Sequence, residues 1–338
     1  MSLLLEEYRN MRDGMRYGFA VGKVRVLETR LLDRSTLERL VDAAGFAEQK
    51  RILSETPYGR FLEAANTATE VEAAIDDALD SAYRFLDEAG LPPAVVRFFR
   101  LRFDFANLKA ALKADALGAG LEGLLGAHGT VPLEAFAEPL DRLPVPLGPL
   151  AVELAHSADD EVDDVALMAL DAAVDRSMYA ALAETAHEVH SPFLKLVARL
   201  LIDLANLKTL VRAQAAGIVP ARVESDLLLD GGSVDLRELG RIYRLGRLET
   251  LSALERRYRL KGNPLTSADG VLDLDVVVDN ALVAAVRRGR RAEPGAEDVI
   301  AYVLAREAEA QVLRVALLGK MAGLDSAALH RRMRASCR

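Results

Sequence analysis

Tryptophan is absent from this chain, and cysteine occurs once, at the penultimate Cys337. A single thiol leaves no intramolecular disulfide framework and no paired thiols for zinc or redox chemistry, so a reducing, cytosolic setting is expected. Aromatic residues make up only 5% of the sequence, and the core must therefore be built from Ala, Leu and Val. Long apolar runs are missing as well. The longest stretch without Asp, Glu, Lys or Arg is the 11 residues from Gly123 to Leu133, whereas a membrane span needs ~18 to 20. Glu6, Glu7, Arg9, Arg12, Asp13 and Arg16 interrupt the start of the chain, so no signal-peptide core is expected there. Glycine (23) and proline (12) are too few in 338 residues for collagen-like or low-complexity sequence. A phosphate-binding P-loop is missing too: Gly22-Lys23 and Gly319-Lys320 lack both the glycine-rich loop and the following hydroxyl residue.

Residues of high helix propensity fill nearly every segment, and strict alternation of apolar and polar residues is scarce, so the expected fold class is all-α. Five of the twelve prolines, Pro132, Pro139, Pro144, Pro146 and Pro149, fall within 18 residues and mark a connection. Further breaks are expected at Thr56-Pro57-Tyr58-Gly59, Gly90 to Pro93, Gly217 to Pro220, Gly231 to Ser233 and Gly262-Asn263-Pro264, with helices of about 10 to 25 residues between them.

An internal repeat organises the sequence. FDFANLKAAL around position 105 matches IDLANLKTLV near 204, so that Asp104, Asn107 and Lys109 correspond to Asp203, Asn206 and Lys208. A degenerate third copy, AEAQVLRVAL, places Glu309, Val312 and Arg314 at the same positions. Upstream anchors Ile75-Asp76, Leu170-Asp171 and Val278-Asp279 precede Asn107, Asn206 and Val312 by 31, 35 and 33 residues. A weaker set, Leu37 to Leu40, Leu133 to Phe136 and Leu236 to Leu239, precedes those aspartates by 39, 38 and 43 residues. Three helical repeats are expected: residues 1–128 with an N-terminal helix, 129–232 containing the proline-rich connection 132–149, and 233–338.

Asp104 and Asn107, at i and i+3, share one face of a helix that is otherwise apolar nearly all round. Buried polar groups of this kind must be hydrogen-bonded, because one left unpaired costs ~1 to 3 kcal/mol. Asp76, Asp171 and Asp279 on one helix of each copy, with Lys109, Lys208 and Arg314 on another, are expected to tie each bundle together internally.

Several enzyme-like patterns carry little. Asp76-Asp77-x-x-Asp80 and Asp159-Asp160-x-x-Asp163 fit the magnesium-diphosphate pattern of all-α prenyl synthases, but the flanking Arg-Arg-Gly is missing and Asp76 is already a repeat position. Glu153/His156 and Glu184/His187 resemble half of a di-iron carboxylate arrangement without the other Glu ligands, and His187-Glu188-Val189-His190 has the wrong order for a zinc protease. Gly118-Ala119-Gly120-Leu121-Glu122-Gly123 has the letters of a dinucleotide fingerprint, yet it follows a helix where a strand is required, and reads as a helix stop. No catalytic residue, metal or cofactor is expected.

The net charge of −8 is uneven: residues 234–338 hold 19 Lys/Arg against 14 Asp/Glu, leaving −13 for the remainder. Arg287, Arg288, Arg290 and Arg291 form a candidate partner-binding block. Without interleaved aromatics, and in an acidic chain, nucleic acid is not the expected partner.

YGFAVGKVRVLETRLLDRSTLERL, LSETPYGRFL, the repeated DxxNLK helices and the terminal REAEAQVLRVALLGK together resemble the C subunits of prokaryotic V-type (A/V-type) ATPases, relatives of the eukaryotic d subunits. Val312 departs from the polar residue common in that family's last copy. The resemblance covers essentially the whole chain and implies three helical bundles about a pseudo-threefold axis, forming a funnel. It implies a non-catalytic rotor part, with no small-molecule substrate, that couples the central shaft of subunits D and F to the membrane proteolipid ring. Its expected location is peripheral, on the cytoplasmic face of the membrane. The alternatives are an all-α repeat scaffold and a magnesium-dependent prenyl-diphosphate enzyme.

Overall fold

A computed structural model describes residues 17–155, 164–189, 191–245, 247–258, 270–289 and 295–336. Among them every regular element is helical and there is no strand. Residues 17–28 form α1, followed by α2 (Arg34–Asp42), α3 (Phe46–Ser54), α4 (Gly59–Leu62), α5 (Ala68–Glu88) and α6 (Pro93–Leu117). The proline-rich connection contains two short 3-10 turns, Leu133–Ala137 and Leu140–Arg142, and enters α7 (Leu147–Ala155). The long helices α8 (Asp164–Glu188) and α9 (Pro192–Ala216) come next, then the single turn α10 (Pro220–Arg222), a π turn at Val223–Leu227, α11 (Leu236–Tyr243) and α12 (Arg247–Tyr258). The chain ends with α13 (Gly270–Gly289), α14 (Ala296–Met321) and α15 (Ser326–Arg332). Helices α2, α3, α4, α7, α10, α11 and α15 are shorter than the expected range; α2, α3 and α15 pack on α14, α4 on α5, and α7 on α6 and α8. The expected break at Gly262-Asn263-Pro264 lies outside the described residues.

Local chemistry sets the helix ends. Thr67 and Glu70 form a reciprocal capping box at the start of α5, and the backbone N–H groups of Asn66 and Thr67 hold the Glu70 carboxyl below its ordinary pKa. Pro93 and Pro192 occupy the first turns of α6 and α9, where a missing N–H costs nothing. Gly118 and Gly217, at φ +61° and +67°, end the same two helices in left-handed caps that return N–H groups to the last carbonyls. Gly323, at φ +82°, follows α14 in the same way. All three lie eleven residues beyond the positions of Asn107, Asn206 and Val312, so the stop belongs to the repeat.

The chain forms two compact units. The first combines residues 1–91 with 269–338, so it joins the two ends of the sequence. Its centre is α14, whose turns from Val299 to Ala305 are buried throughout and which packs against α5, α13, α2, α3 and α15. Leu40, Leu53, Tyr58, Ile75 and Leu86 complete that core. The second unit, residues 92–268, packs α8 against α6, α7 and α9 around Phe98, Phe99, Phe105, Leu108, Val174 and Leu182. No described helix is long and apolar enough to cross a membrane.

Candidate functional site

The repeated Asp-x-x-Asn pair fastens a loop to the helix that precedes it. In α6, Asp104 Oδ1 accepts from the N–H groups of Thr130 (2.8 Å) and Val131 (3.0 Å), while Oδ2 accepts from the Thr130 hydroxyl (2.6 Å). One turn on, Asn107 Nδ2 donates to the Gly126 carbonyl at 2.9 Å and Oδ1 accepts the Gly126 N–H at 2.8 Å. In α9, Asn206 makes the same two bonds with Leu229, both at 2.8 Å, and Asp203 accepts from the N–H (2.9 Å) and hydroxyl of Ser233. Backbone groups in a connection have no ladder to join, and these side chains supply their partners. The approach is close enough that a Cβ on Gly129 or Gly232 would overlap the Asp104 or Asp203 carboxylate.

The third copy reaches across the sequence. Glu309 accepts from the Leu32 N–H, from the Tyr58 hydroxyl at 2.6 Å and from Arg306 Nη1 at 2.6 Å. Arg306 also bonds the Tyr58 oxygen at 2.7 Å and the Ala78 carbonyl at 3.0 Å, and all three side chains are buried. Burial first, and then the Glu309 charge, push the Tyr58 hydroxyl well above its ordinary pKa. Burial alone would lower the Arg306 pKa, but Tyr58 and Glu309 hold it above the usual value, so the guanidinium stays charged. Leu32 precedes Asp33, the N-cap of α2, so this carboxylate too secures the segment leading into a Leu-rich anchor helix. Val312 is buried and carries no clasp.

Ion pairs link the long helices in register. Lys109 meets Asp175 at 2.6 Å and Asp171 at 3.9 Å, and Lys113 meets Asp171 at 2.7 Å, joining α6 to α8. Burial raises the Asp175 pKa against the opposing charge of Lys109. Between α14 and α5, Arg314 bonds Glu72 at 2.8 Å and also Asp76. Each pairing joins the second long helix of one repeat to the first of another, which corrects the expectation of ties inside each bundle: Lys109 pairs with Asp171 and Asp175 rather than Asp76, and Arg314 with Asp76 rather than Asp279. Asp279 meets Arg334 of the C-terminal segment at 2.8 Å, and Lys208 lies on α9 at the position matching Lys109.

The other patterns do not assemble into a site. Asp76 is engaged by Arg314, and Asp80 by Arg84 at 2.8 Å. Glu184 and His187 lie exposed on α8; His156, His190 and Asp159 to Asp163 lie outside the described residues. Arg287 donates to the Ser336 carbonyl at 2.6 Å, while the side chain of Arg288 and all of Arg290 and Arg291 lie outside the described part of the chain. Among the described residues no group of three or more His, Cys, Asp or Glu is gathered as a metal ion would require. Sequence reasoning missed the loop partners. Their signal was Gly129-Thr130-Val131-x-Leu133 recurring as Gly232-Ser233-Val234-x-Leu236.

Buried carboxylates, amides and ion pairs that fasten one chain segment to another define a class: an all-helical protein whose recurring polar motif holds its connections and helices in place. The profile of the family described as ATP synthase (C/AC39) subunit matches residues 20–332, and the chain belongs to that family as a non-catalytic subunit of a V/A-type ATP synthase. It is 28% identical over 316 residues to the C subunit of the V-type ATP synthase of Thermus thermophilus, covering 88% of this chain and 92% of the relative. The C subunit of the A-type ATP synthase of Methanococcoides burtonii is 23% identical, with 91% of each chain covered. The C subunit of the V-type sodium ATPase of Enterococcus hirae is 22% identical, covering 92% of this chain and 96% of that one.

Proposed function

We propose that the chain is a central-rotor socket, receiving the shaft of subunits D and F on one side and resting on the membrane proteolipid ring on the other. In this reading it is peripheral, on the cytoplasmic face, and transmits torque between ATP chemistry and ion transport. The three repeats, residues 1–128, 129–232 and 233–338, are three homologous helical bundles about a pseudo-threefold axis. The observation that carries the reading is the bonding of the last repeat to the first. Glu309 holds Leu32, Arg314 holds Asp76, and the Ser336 hydroxyl donates to the Leu32 carbonyl at 2.8 Å. In an open solenoid each repeat contacts only its neighbours and the ends stay apart. Fastened ends suit a body that must twist as one piece.

The test is a membrane-bound complex assembled with and without this chain. Loss of ATP-driven ion pumping with ATP hydrolysis retained is expected; pumping that persists without the chain would sink the reading. Capture on tagged chain should recover shaft and proteolipid subunits. The block Arg287, Arg288, Arg290 and Arg291 is proposed to contribute cationic groups to the shaft cavity or the ring face. Charge reversal there should weaken assembly and flatten its dependence on salt.

A further inference from the structure

One copy of the motif leaves open a place that the other two close. Counting from Asn107, Asn206 and Val312, the positions Ala111, Asp115 and Ala119 correspond to Leu210, Gln214 and Ile218, and to Ala316, Lys320 and Leu324. The Gly-Thr/Ser-Val loops carry the register onward, so Phe136 and Leu140 correspond to Leu239 and Tyr243. In the second copy Gln214 Nε2 donates to the Tyr243 carbonyl at 3.0 Å and to the Thr250 hydroxyl at 3.2 Å. The buried Tyr243 ring crosses from α11 to the end of α9, where its hydroxyl donates to the Ile218 carbonyl at 2.7 Å. In the third copy the buried Gln49 amide bridges the carbonyls of Leu40 and Ala316, at 2.9 and 3.0 Å. Each of these side chains spans from the long helix to the short segment that packs on it.

In the first copy Leu140 stands where the second has Tyr243, and a cleft of about 580 Å³ lies between the last turns of α6, the 3-10 turns and α7. Its walls include Ala111, Ala119, Phe136 and Leu140, the counterparts of residues that the bridged copies bring together. Ala119, Ala137 and Pro139 are exposed and Val152 of α7 is 41% exposed, so much of the apolar wall faces water. Three carboxylates line the cleft, Asp115, Glu138 and Asp141, and no cation does. Glu138 lies 3.6 Å from Arg142, whereas Asp115 and Asp141 have no ion-pair partner among the described residues. Asp115 also stands in the last turn of α6, where a negative charge opposes the helix dipole. The matching positions carry the neutral Gln214 and the cationic Lys320, so the adverse charge is found only where the cleft is open.

We infer that this cleft receives a tyrosine side chain from a basic segment of a partner protein. The ring takes the place that Tyr243 holds in the second copy, with its hydroxyl directed to the Ala119 carbonyl as Tyr243 is to that of Ile218. Lys or Arg residues beside it meet Asp115 and Asp141. Burial of the ring supplies most of the affinity, and the flanking charges act on partner choice and association rate. The inference uses none of the residues on which the rotor reading rests, and it stands or falls without that reading.

The test uses the full chain and a fluorescein-labelled Lys-Arg-Tyr-Arg-Lys peptide, with binding followed by anisotropy. A Lys-Arg-Ala-Arg-Lys peptide should bind at least about tenfold more weakly, the equivalent of one buried anchor. Leu140→Tyr, which restores the ring of the second copy, should abolish binding. Ala137→Trp should do the same from the exposed side of the 3-10 turn, where it leaves the core untouched. Asp115→Asn with Asp141→Asn should weaken binding about tenfold and flatten its dependence on salt. Circular dichroism checks that each variant remains folded. Equal binding of the Tyr and Ala peptides, unchanged binding to Ala137→Trp, or no binding at millimolar peptide overturns the inference. So does a dimer of the chain in sedimentation that Ala137→Trp disrupts, since a second copy would then hold the cleft.

Discussion

Arg306, Glu309 and Tyr58 form a buried, mutually bonded polar cluster in the first unit, and removing one member tests what it contributes. Arg306→Leu deletes the bonds to Tyr58, Glu309 and the Ala78 carbonyl and leaves Glu309, only 6% exposed, without its counter-charge. Breaking a buried pair from one side costs ~3 to 5 kcal/mol, most of it the solvation lost by the remaining charge. Glu309→Leu strands Arg306 and also unpairs the Leu32 N–H and Tyr58 hydroxyl, so its loss should lie at the upper end of that range. The double variant should cost clearly less than the sum of the two, because no buried charge is left alone. Urea unfolding followed by circular dichroism measures this. With a slope of ~2 kcal/mol per molar, a loss of about 4 kcal/mol moves the midpoint by about 2 M. Because the chain has two units, hydrogen exchange of α14 and α5 amides should report the loss while α6 and α8 keep their protection. Single variants that each cost under ~1 kcal/mol, or costs that simply add, would refute the reasoning.

Gly232→Ala should push Asp203 off the Ser233 clasp and cost about 1 to 3 kcal/mol, with faster proteolysis within residues 217–235 than in the wild type; an unchanged cleavage rate contradicts the close approach. Asp175 gives a pH signature. Its folded pKa is raised by burial, so its contribution to stability is full below the unfolded carboxylate pKa and lost as pH rises through the folded value. Wild type should therefore lose stability relative to Asp175→Asn as pH rises above the unfolded carboxylate value of about 4, read from paired urea midpoints, and a gain over that rise falsifies the assignment.

Much of this was legible in the sequence for local reasons. Helix propensity, proline positions and left-handed glycines act within a turn or two, so the helices and the breaks at Gly90 to Pro93 and Gly217 to Pro220 could be read directly. The repeat was legible because Asp104 and Asn107 recur with their spacing intact as Asp203 and Asn206. Their partners were harder. Asn107 bonds a backbone group nineteen residues away, and any residue type presents the same backbone atoms. Only the recurrence of Gly-Thr/Ser-Val hinted at where the loop returns. Arg314 and Asp76 are both repeat positions, but they lie 238 residues apart, and nothing periodic says that the last copy pairs with the first.

The sequence by itself determined an all-helical chain with a recurring Asp-x-x-Asn motif, because helix formation and capping are decided by neighbours along the backbone. Tertiary structure decided which parts belong together. Residues 1–91 and 269–338 share one core, the ion pairs cross from repeat to repeat, and a degenerate third motif became a buried Arg–Glu–Tyr cluster. Those outcomes depend on which apolar faces and unpaired polar groups meet once the helices collapse, and burial makes each such meeting costly to leave unsatisfied.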